Sequence, residues 1–392
     1  MKDFSLSQLR QQSSQWLWKL GIFTAPFNIS LLLWQPLFST GYYNPYISVS
    51  LFLSEILILL AFCLSWKRNK ITKKTKAILL ITLGLILWSI HFAENQLGAT
   101  LNSLHLLTGI AIVRLIQKNI IPLKEVKKWF VYSITLQATF GMLQFAYQHS
   151  LGLHWLGEAW INPESSGIAK TPILGGKPLL RAYGTFAHAN ILAAFSLVAF
   201  LWRKSIPQKH QNLITLILLG GILFSFSKAV FLTGILLWII HPHTKHKFAV
   251  SIGLLIALRL FMPILSTQET IQERLQYNAI SIEMLVHEPQ GVGFHQFTDR
   301  MQEFTTEKLQ PWQFQPVHNI YLLMANEFGI IGVLLILTML FKHLSREKST
   351  FIALIILGLF DHYFLSLYPG IFLAALILGI SLHPKELPMK SG

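Results

Sequence analysis

The sequence predicts an all-α polytopic membrane protein of about twelve transmembrane helices, and three observations carry that prediction. Only 12% of the 392 residues are charged and 53% are hydrophobic, whereas a soluble domain carries about 25% charged residues. The apolar residues fall in blocks about 20 long, the length that crosses roughly 30 Å of hydrocarbon. Lysine and arginine gather between the blocks, so the net charge of +15 reads as membrane topology. A nucleic-acid footprint would instead line one exposed face, so no nucleic-acid partner is expected.

Apolar windows place spans at 17–37, 46–65, 77–94, 99–117, 127–148 and 186–202, then at 211–224, 227–241, 248–266, 318–341, 350–366 and 370–382. The first follows a polar, basic start and lacks a short apolar core with a small-residue cleavage site, so it is read as an uncleaved helix. The run 213–240 is too long for one crossing. Ser225, Ser227 and Lys228 interrupt it, which predicts a tight hairpin. Cys63 is the only cysteine and lies in an apolar block; it is read as a small core residue, and it excludes an intramolecular disulfide or a cysteine metal site. Glu55 is read as an internal hydrogen-bonding residue, and Trp16, Trp34 and Trp66 as interface anchors. The stretch from His241 to His246 reads as a solvated basic loop.

Charge sets the orientation. With the N-terminus inside, 24 of the 32 lysines and arginines fall in the N-terminal tail, 66–76, 114–128, 203–210, 242–247, 342–349 and 383–392. Lys170, Lys177, Arg181, Lys228, Arg274, Arg300 and Lys308 fall outside, and Arg259 lies within a span. Both termini are therefore expected in the cytoplasm, with residues 1–392 forming one transmembrane domain. Two outer segments, 149–185 and 267–317, are long and polar, and long ordered loops are usually functional. In the second, Leu275, Ile282, Leu285 and Val286 recur at helical spacing, which predicts a helix lying on the membrane surface. The turn Glu288-Pro289-Gln290-Gly291-Val292-Gly293 ends it. Chemistry is expected on this outer face. No pair of matched broken helices stands out, which weighs against a secondary transporter.

Two strings carry candidate chemistry. Arg181-Ala182-Tyr183-Gly184-Thr185-Phe186-Ala187-His188-Ala189-Asn190 sets an arginine just outside the membrane, Gly-Thr at the mouth of a span, and His188 and Asn190 in its first turn. A guanidinium is a planar fork of donors that suits phosphate oxygens and keeps its charge. Pro316-Val317-His318-Asn319 opens the tenth span and leads to Glu327, Gly329 and Gly332. At the water interface a neutral His318 imidazole can take a proton from a hydroxyl. The two glycines fit close approach of a neighbouring helix. Glu327 is expected to pair with Arg259 or to stay protonated, because an ionisable group at the bilayer centre costs roughly 2.5–3.5 kcal/mol on insertion scales.

His-Asn, nine residues, Gly, two residues, Gly, taken with Arg-x-x-Gly-Thr-Phe-x-His-x-Asn, resembles the O-antigen ligase family of ligases, polysaccharide polymerases and related oligosaccharyltransferases. Three further fragments are similar. Ser225-Phe226-Ser227-Lys228-Ala229 sits where members commonly have Ser-Arg-Gly, with lysine replacing arginine. Arg274, a helix and then His287-Glu288-Pro289-Gln290-Gly291-Val292-Gly293-Phe294 matches an Arg…Pro-x-Gly-x-Gly-Phe run. Asp361-His362-Tyr363 is the third. The motif-bearing match covers roughly 181–365, and the first 180 residues agree only in hydropathy.

The resemblance implies a GT-C-type bundle with partly helical extracytoplasmic loops, in the bacterial inner (cytoplasmic) membrane. It implies a transferase that takes a glycan from undecaprenyl diphosphate and passes it to an acceptor hydroxyl on a glycan or lipid, with no metal and no cofactor. Arg181 and Arg274 would serve the diphosphate and His318 would activate the acceptor. Lys228, Tyr183, His188, Asn190 and Asn319 would bind substrate. The charge logic agrees, because a departing lipid diphosphate gathers negative charge that fixed cations stabilise in the transition state. Within the family a ligase label is preferred over a polymerase. A flippase or transporter of lipid-linked sugars is the competing class.

Overall fold

A computed structural model describes residues 6–35, 44–66, 73–165, 167–171, 177–240, 268–341 and 347–383. These residues are mostly helical, with two short antiparallel hairpins. The first half comprises α1 (Leu6–Thr24), the strand pair β1 (Ser30–Trp34) and β2 (Val49–Phe52), α2 (Leu53–Leu64), α3 (Lys73–Phe92), α4 (Gln96–Gln117) and α5 (Leu123–Tyr147). The pair β3 (Lys170–Thr171) and β4 (Leu179–Leu180) then precedes α6 (Ala189–Trp202), α7 (Gln208–Phe224) and α8 (Lys228–Ile240). The remainder is α9 (Gln268–His287), α10 (Phe297–Arg300), α11 (Ile320–Phe341), α12 (Lys348–Gly358), α13 (Tyr363–Ser366) and α14 (Tyr368–Leu382).

Most apolar windows became helices, and three departures have physical reasons. The window 17–37 is not one helix. Pro26 and Asn28 follow the end of α1, and Ser30–Trp34 pairs with Val49–Phe52 as a hairpin, so the window 46–65 opens as a strand too. The window 350–366 breaks after α12, where Asp361 and His362 turn into the site described below. The 213–240 hairpin is present, turned at Phe226 with φ 49°. The helix expected at 248–266 and the His241–His246 loop lie outside the described residues. By length and composition two described helices suffice to cross a membrane, Gln96–Gln117 and Ile320–Thr338; five shorter apolar helices do not reach that length. A count of about twelve spans therefore does not follow from the described helices.

Several polar side chains are buried with the apolar core, and some large apolar ones are exposed on outer helix faces. Glu55 is buried, with Oε1 2.8 Å from His105 Nδ1 and Oε2 accepting from Phe52 N. Asn102, Gln137 and Gln144 are also buried. On α7, Leu213, Leu216, Leu219 and Leu223 are 63%, 68%, 45% and 52% exposed. Cys63 is exposed, because it shares the outer face of α2 with Leu60, so its reading as a core residue is corrected.

The two glycine strings meet each other. Helix α11 is broken at Gly329 (φ 76°, ψ 167°), and the turn after α9 fills the break. Val292 N donates to Asn326 O, Gly293 N to Glu327 O and Ile330 N to Pro289 O. Gly329 thus approaches a loop and not a neighbouring helix. A Cβ there would lie 2.5 Å from Gln290 O, in a backbone region essentially restricted to glycine. The backbone N–H groups of His295 and Phe297 bond the buried Glu327 carboxyl, so its role is to pin this loop; Arg259 lies outside the described residues. Gly329→Ala is expected to cost at least 1–3 kcal/mol, on the order of one strained residue. A thermal melt in detergent would show a lower midpoint, while Gly84→Ala, in the interior of α3 with nothing within 4 Å of its Cβ, would hold or raise it.

Candidate active site

Arg181 lies at the end of β4 and is held by the loop it opens. Two buried glutamines on α5, seven residues apart and therefore on one face, grip that loop. Gln144 Oε1 accepts from Gly184 N at 2.8 Å, and Gln137 Oε1 accepts from Thr185 N at 2.8 Å. Gly184 (φ 64°) leaves no room for a side chain, since a Cβ would sit 2.6 Å from Gln137 Oε1. Glu158 supports Gln144 from behind at 2.7 Å. So held, Arg181 donates through Nε to Ser225 O and through an η-nitrogen to Asn190 Oδ1 at 2.7 Å. Burial pushes its guanidinium down to about 10, which leaves it charged at neutral pH.

Asn190 carries the contact onward. Its Nδ2 donates to Asp361 Oδ2 at 3.0 Å, and its backbone N donates to His188 Nδ1 at 3.1 Å, where His188 caps α6. Asp361 is buried in the break between α12 and α13 and forms the hub. Its Oδ1 lies 3.6 Å from His318 Nδ1 and 3.9 Å from His362 Nε2. The first distance exceeds a direct hydrogen bond, and His318 Nδ1 has no hydrogen-bond partner among the described residues. His362 is fixed by Ser366 Oγ, 2.6 Å from its Nδ1, and by the Tyr46 ring, centroids 5.2 Å apart. Arg274 donates to Phe360 O at 3.2 Å, one residue before Asp361. Tyr277, one turn further along α9, stands against the His318 ring at 5.8 Å.

Arg181 through Asn190, Arg274 through the carbonyl of the preceding residue and His318 at 3.6 Å therefore gather around Asp361. Lys228, the first residue of α8, lies within electrostatic reach of Arg181 and Arg274. His188 caps a helix within reach of the same charges. Asn319 Oδ1 accepts from Tyr321 N and Leu322 N at 2.9 and 3.2 Å, so its side-chain oxygen caps α11. Tyr183 is buried with its hydroxyl taken by Ala169 N; it braces the loop, and burial pushes its phenol up to about 12. Gln137, Gln144, His362 and the hub role of Asp361 were not read from the sequence as site features. Two buried amides one heptad apart in an apolar helix were the available signal for the glutamines.

The half-buried cations offer N–H donors to an anion, and His318 offers an imidazole beside a carboxylate. His318, Asp361 and His362 also bring three ligand atoms within 4.8 Å of one another, a donor set of the kind that binds zinc or iron(II). Arg181 and Arg274 beside them raise the electrostatic cost of a dication there. No protein-family model matches the chain, and neither does any curated protein.

Proposed function

We propose that this chain is a membrane-embedded transferase that moves a glycan from undecaprenyl diphosphate to an acceptor hydroxyl, without a metal, in a GT-C-type bundle of about twelve spans. The observation that carries the proposal is the gathering of Arg181, Arg274 and His318, three residues expected from separate motifs, around Asp361: Arg181 through Asn190, Arg274 through Phe360 O and His318 at 3.6 Å. The guanidiniums hold the diphosphate and stabilise its departure. With Nδ1 turned to Asp361, His318 presents Nε2 to the acceptor and takes its proton as the hydroxyl attacks the anomeric carbon. The C–O bond to the diphosphate breaks, and the lipid diphosphate leaves with that electron pair.

A membrane setting is supported by the outward leucine face of α7, since such patches in water mark contact surfaces. Arg10 bonds the carbonyls of Cys63, Leu64 and Trp66, Lys118 bonds Ser65 O, and Lys127 pairs with Glu347. Each contact joins a segment expected in the cytoplasm to another such segment or to the adjoining end of a span, so these segments share one side, as the proposed orientation with both termini inside and the site outside requires. A ligase is preferred to a polymerase because the His-Asn-x9-Gly-x-x-Gly spacing is intact.

The test is transfer by the purified protein in detergent, given a lipid-diphosphate glycan, an acceptor and EDTA. Transfer should proceed and should fall at least a hundredfold in His318→Ala and in Arg274→Ala. Lipid flipping in liposomes without transfer would instead identify a flippase. Arrest by EDTA would assign His318, Asp361 and His362 to a metal.

A further inference from the structure

Helix α9 divides its residues among three directions. At about 100° per residue, Arg274, Tyr277 and Ser281 fall within 60° of one another and face the centre, Ser281 Oγ accepting from Asn326. Ile271, Leu275, Ile282 and Val286 form a second stripe, 52%, 62%, 56% and 68% exposed. The helix expected from the sequence is present, although Leu285, expected on its apolar stripe, packs against the core instead. Gln276, Glu283 and His287 lie opposite the first stripe and line a cavity of about 1090 Å³ against the segment 303–313. That volume exceeds the roughly 300–1,000 Å³ of ordinary small-molecule pockets. It is also separated from the centre by the 10–12 Å thickness of a helix.

The lining chemistry is specific. Trp312, 53% exposed, offers a broad flat apolar face with an N–H at its edge. Gln272, Gln276, Gln310 and Gln313 surround it with amides that both donate and accept. Glu273, Glu283, Glu303 and Glu307 add carboxylates, and no lysine or arginine is among the described lining residues, in a chain whose net charge is +15. Internal bonds already aim these groups: Gln276 Nε2 donates to Glu307 at 2.6 Å, Arg300 holds Glu303 at 2.8 Å and His287 lies 3.5 Å from Glu283. The carboxylates are not gathered for a metal, since the one metal-capable cluster among the described residues is His318, Asp361 and His362.

We propose that this groove is a second glycan-binding site, distinct from the transfer centre, that takes a neutral or amino-substituted oligosaccharide and rejects one bearing carboxylates or phosphates. A sugar ring lays its C–H face on Trp312, and its hydroxyls exchange hydrogen bonds with amides and carboxylates. An anionic chain would meet the carboxylates of Glu273, Glu283 and Glu307, with Glu303 already held by Arg300, a repulsion that selects against it. The glycosyl-transfer reading supplies the reason for a glycan there, but the binding itself does not depend on it.

The test is a printed array of neutral, amino-substituted, uronate and phosphate oligosaccharides, probed with the full chain in nanodiscs. Neutral or amino-sugar spots should exceed acidic ones at least tenfold. Trp312→Ala should remove that signal at least tenfold while Trp312→Phe retains it, and His318→Ala should leave it intact. The double variant E283Q/E307Q should raise the acidic spots toward the neutral ones. An empty array, equal binding of acidic glycans, or an unchanged pattern in Trp312→Ala overturns the proposal, as does binding of hexalysine with no glycan bound. Glycan binding without any transfer sinks the transferase reading alone, and transfer without groove binding sinks this one alone.

Discussion

Asp361→Asn is expected to lower glycan transfer by about 10²–10⁴-fold, the range that a positioned general base contributes. Asparagine keeps the volume and can still meet Asn190, but it removes the negative charge between His318, His362 and Arg181. Without it nothing favours Nδ1–H on His318, so Nε2 is no longer held as the free base, and an imidazolium forming there lacks a counter-charge. The fold should survive, since Tyr46 and Ser366 still fix His362. The readout is kcat at saturating donor and acceptor, together with the melting temperature. A variant that melts like the wild type and turns over at more than a tenth of its rate would remove Asp361 from the mechanism.

Arg181→Lys should cost about 10²–10³-fold in kcat, by comparison with loss of one oxyanion donor. The charge is retained, but an ammonium lacks the planar fork that spans Ser225 O and Asn190 Oδ1. One partner is released, and with Asn190 adrift the Asp361 carboxylate keeps only the His362 backbone donor. If the arginine acts on the departing diphosphate, kcat falls while KM for the lipid donor changes little. A raised KM at unchanged kcat would assign Arg181 to ground-state binding. Arg181→Ala would add instability, because Ala182 N and Arg181 together tie β4 to the turn between α7 and α8.

Local signals were legible and long-range ones were not. The Arg181 and His318 strings and the Pro289–Gly293 turn could be read because glycine, proline and charge at a span's mouth leave a mark within a few residues. Their meeting at Gly329 could not, since nothing local announces which loop fills a break in a helix. The hairpin of Ser30–Trp34 was hidden by its own composition. Three leucines in a row suit a helix, and only Pro26, Pro36 and Pro45 around the region argued for a turn and a strand. Asp361 was legible only as part of the Asp361-His362-Tyr363 fragment, and its place at the hub was not, because the partner that reaches it, Asn190, lies 171 residues earlier.

The threefold division of α9 constrains how its length can vary. Inserting one residue midway would turn the downstream part by about 100°, moving Glu283 off the groove and Ser281 off Asn326 while breaking the exposed apolar stripe in two. Adding seven leaves the faces within about 20° of register and lengthens the helix by about 10 Å. Viable natural or designed length variants of this segment should therefore come in steps of two whole turns, which would widen the outer groove without retuning the chemistry beneath it.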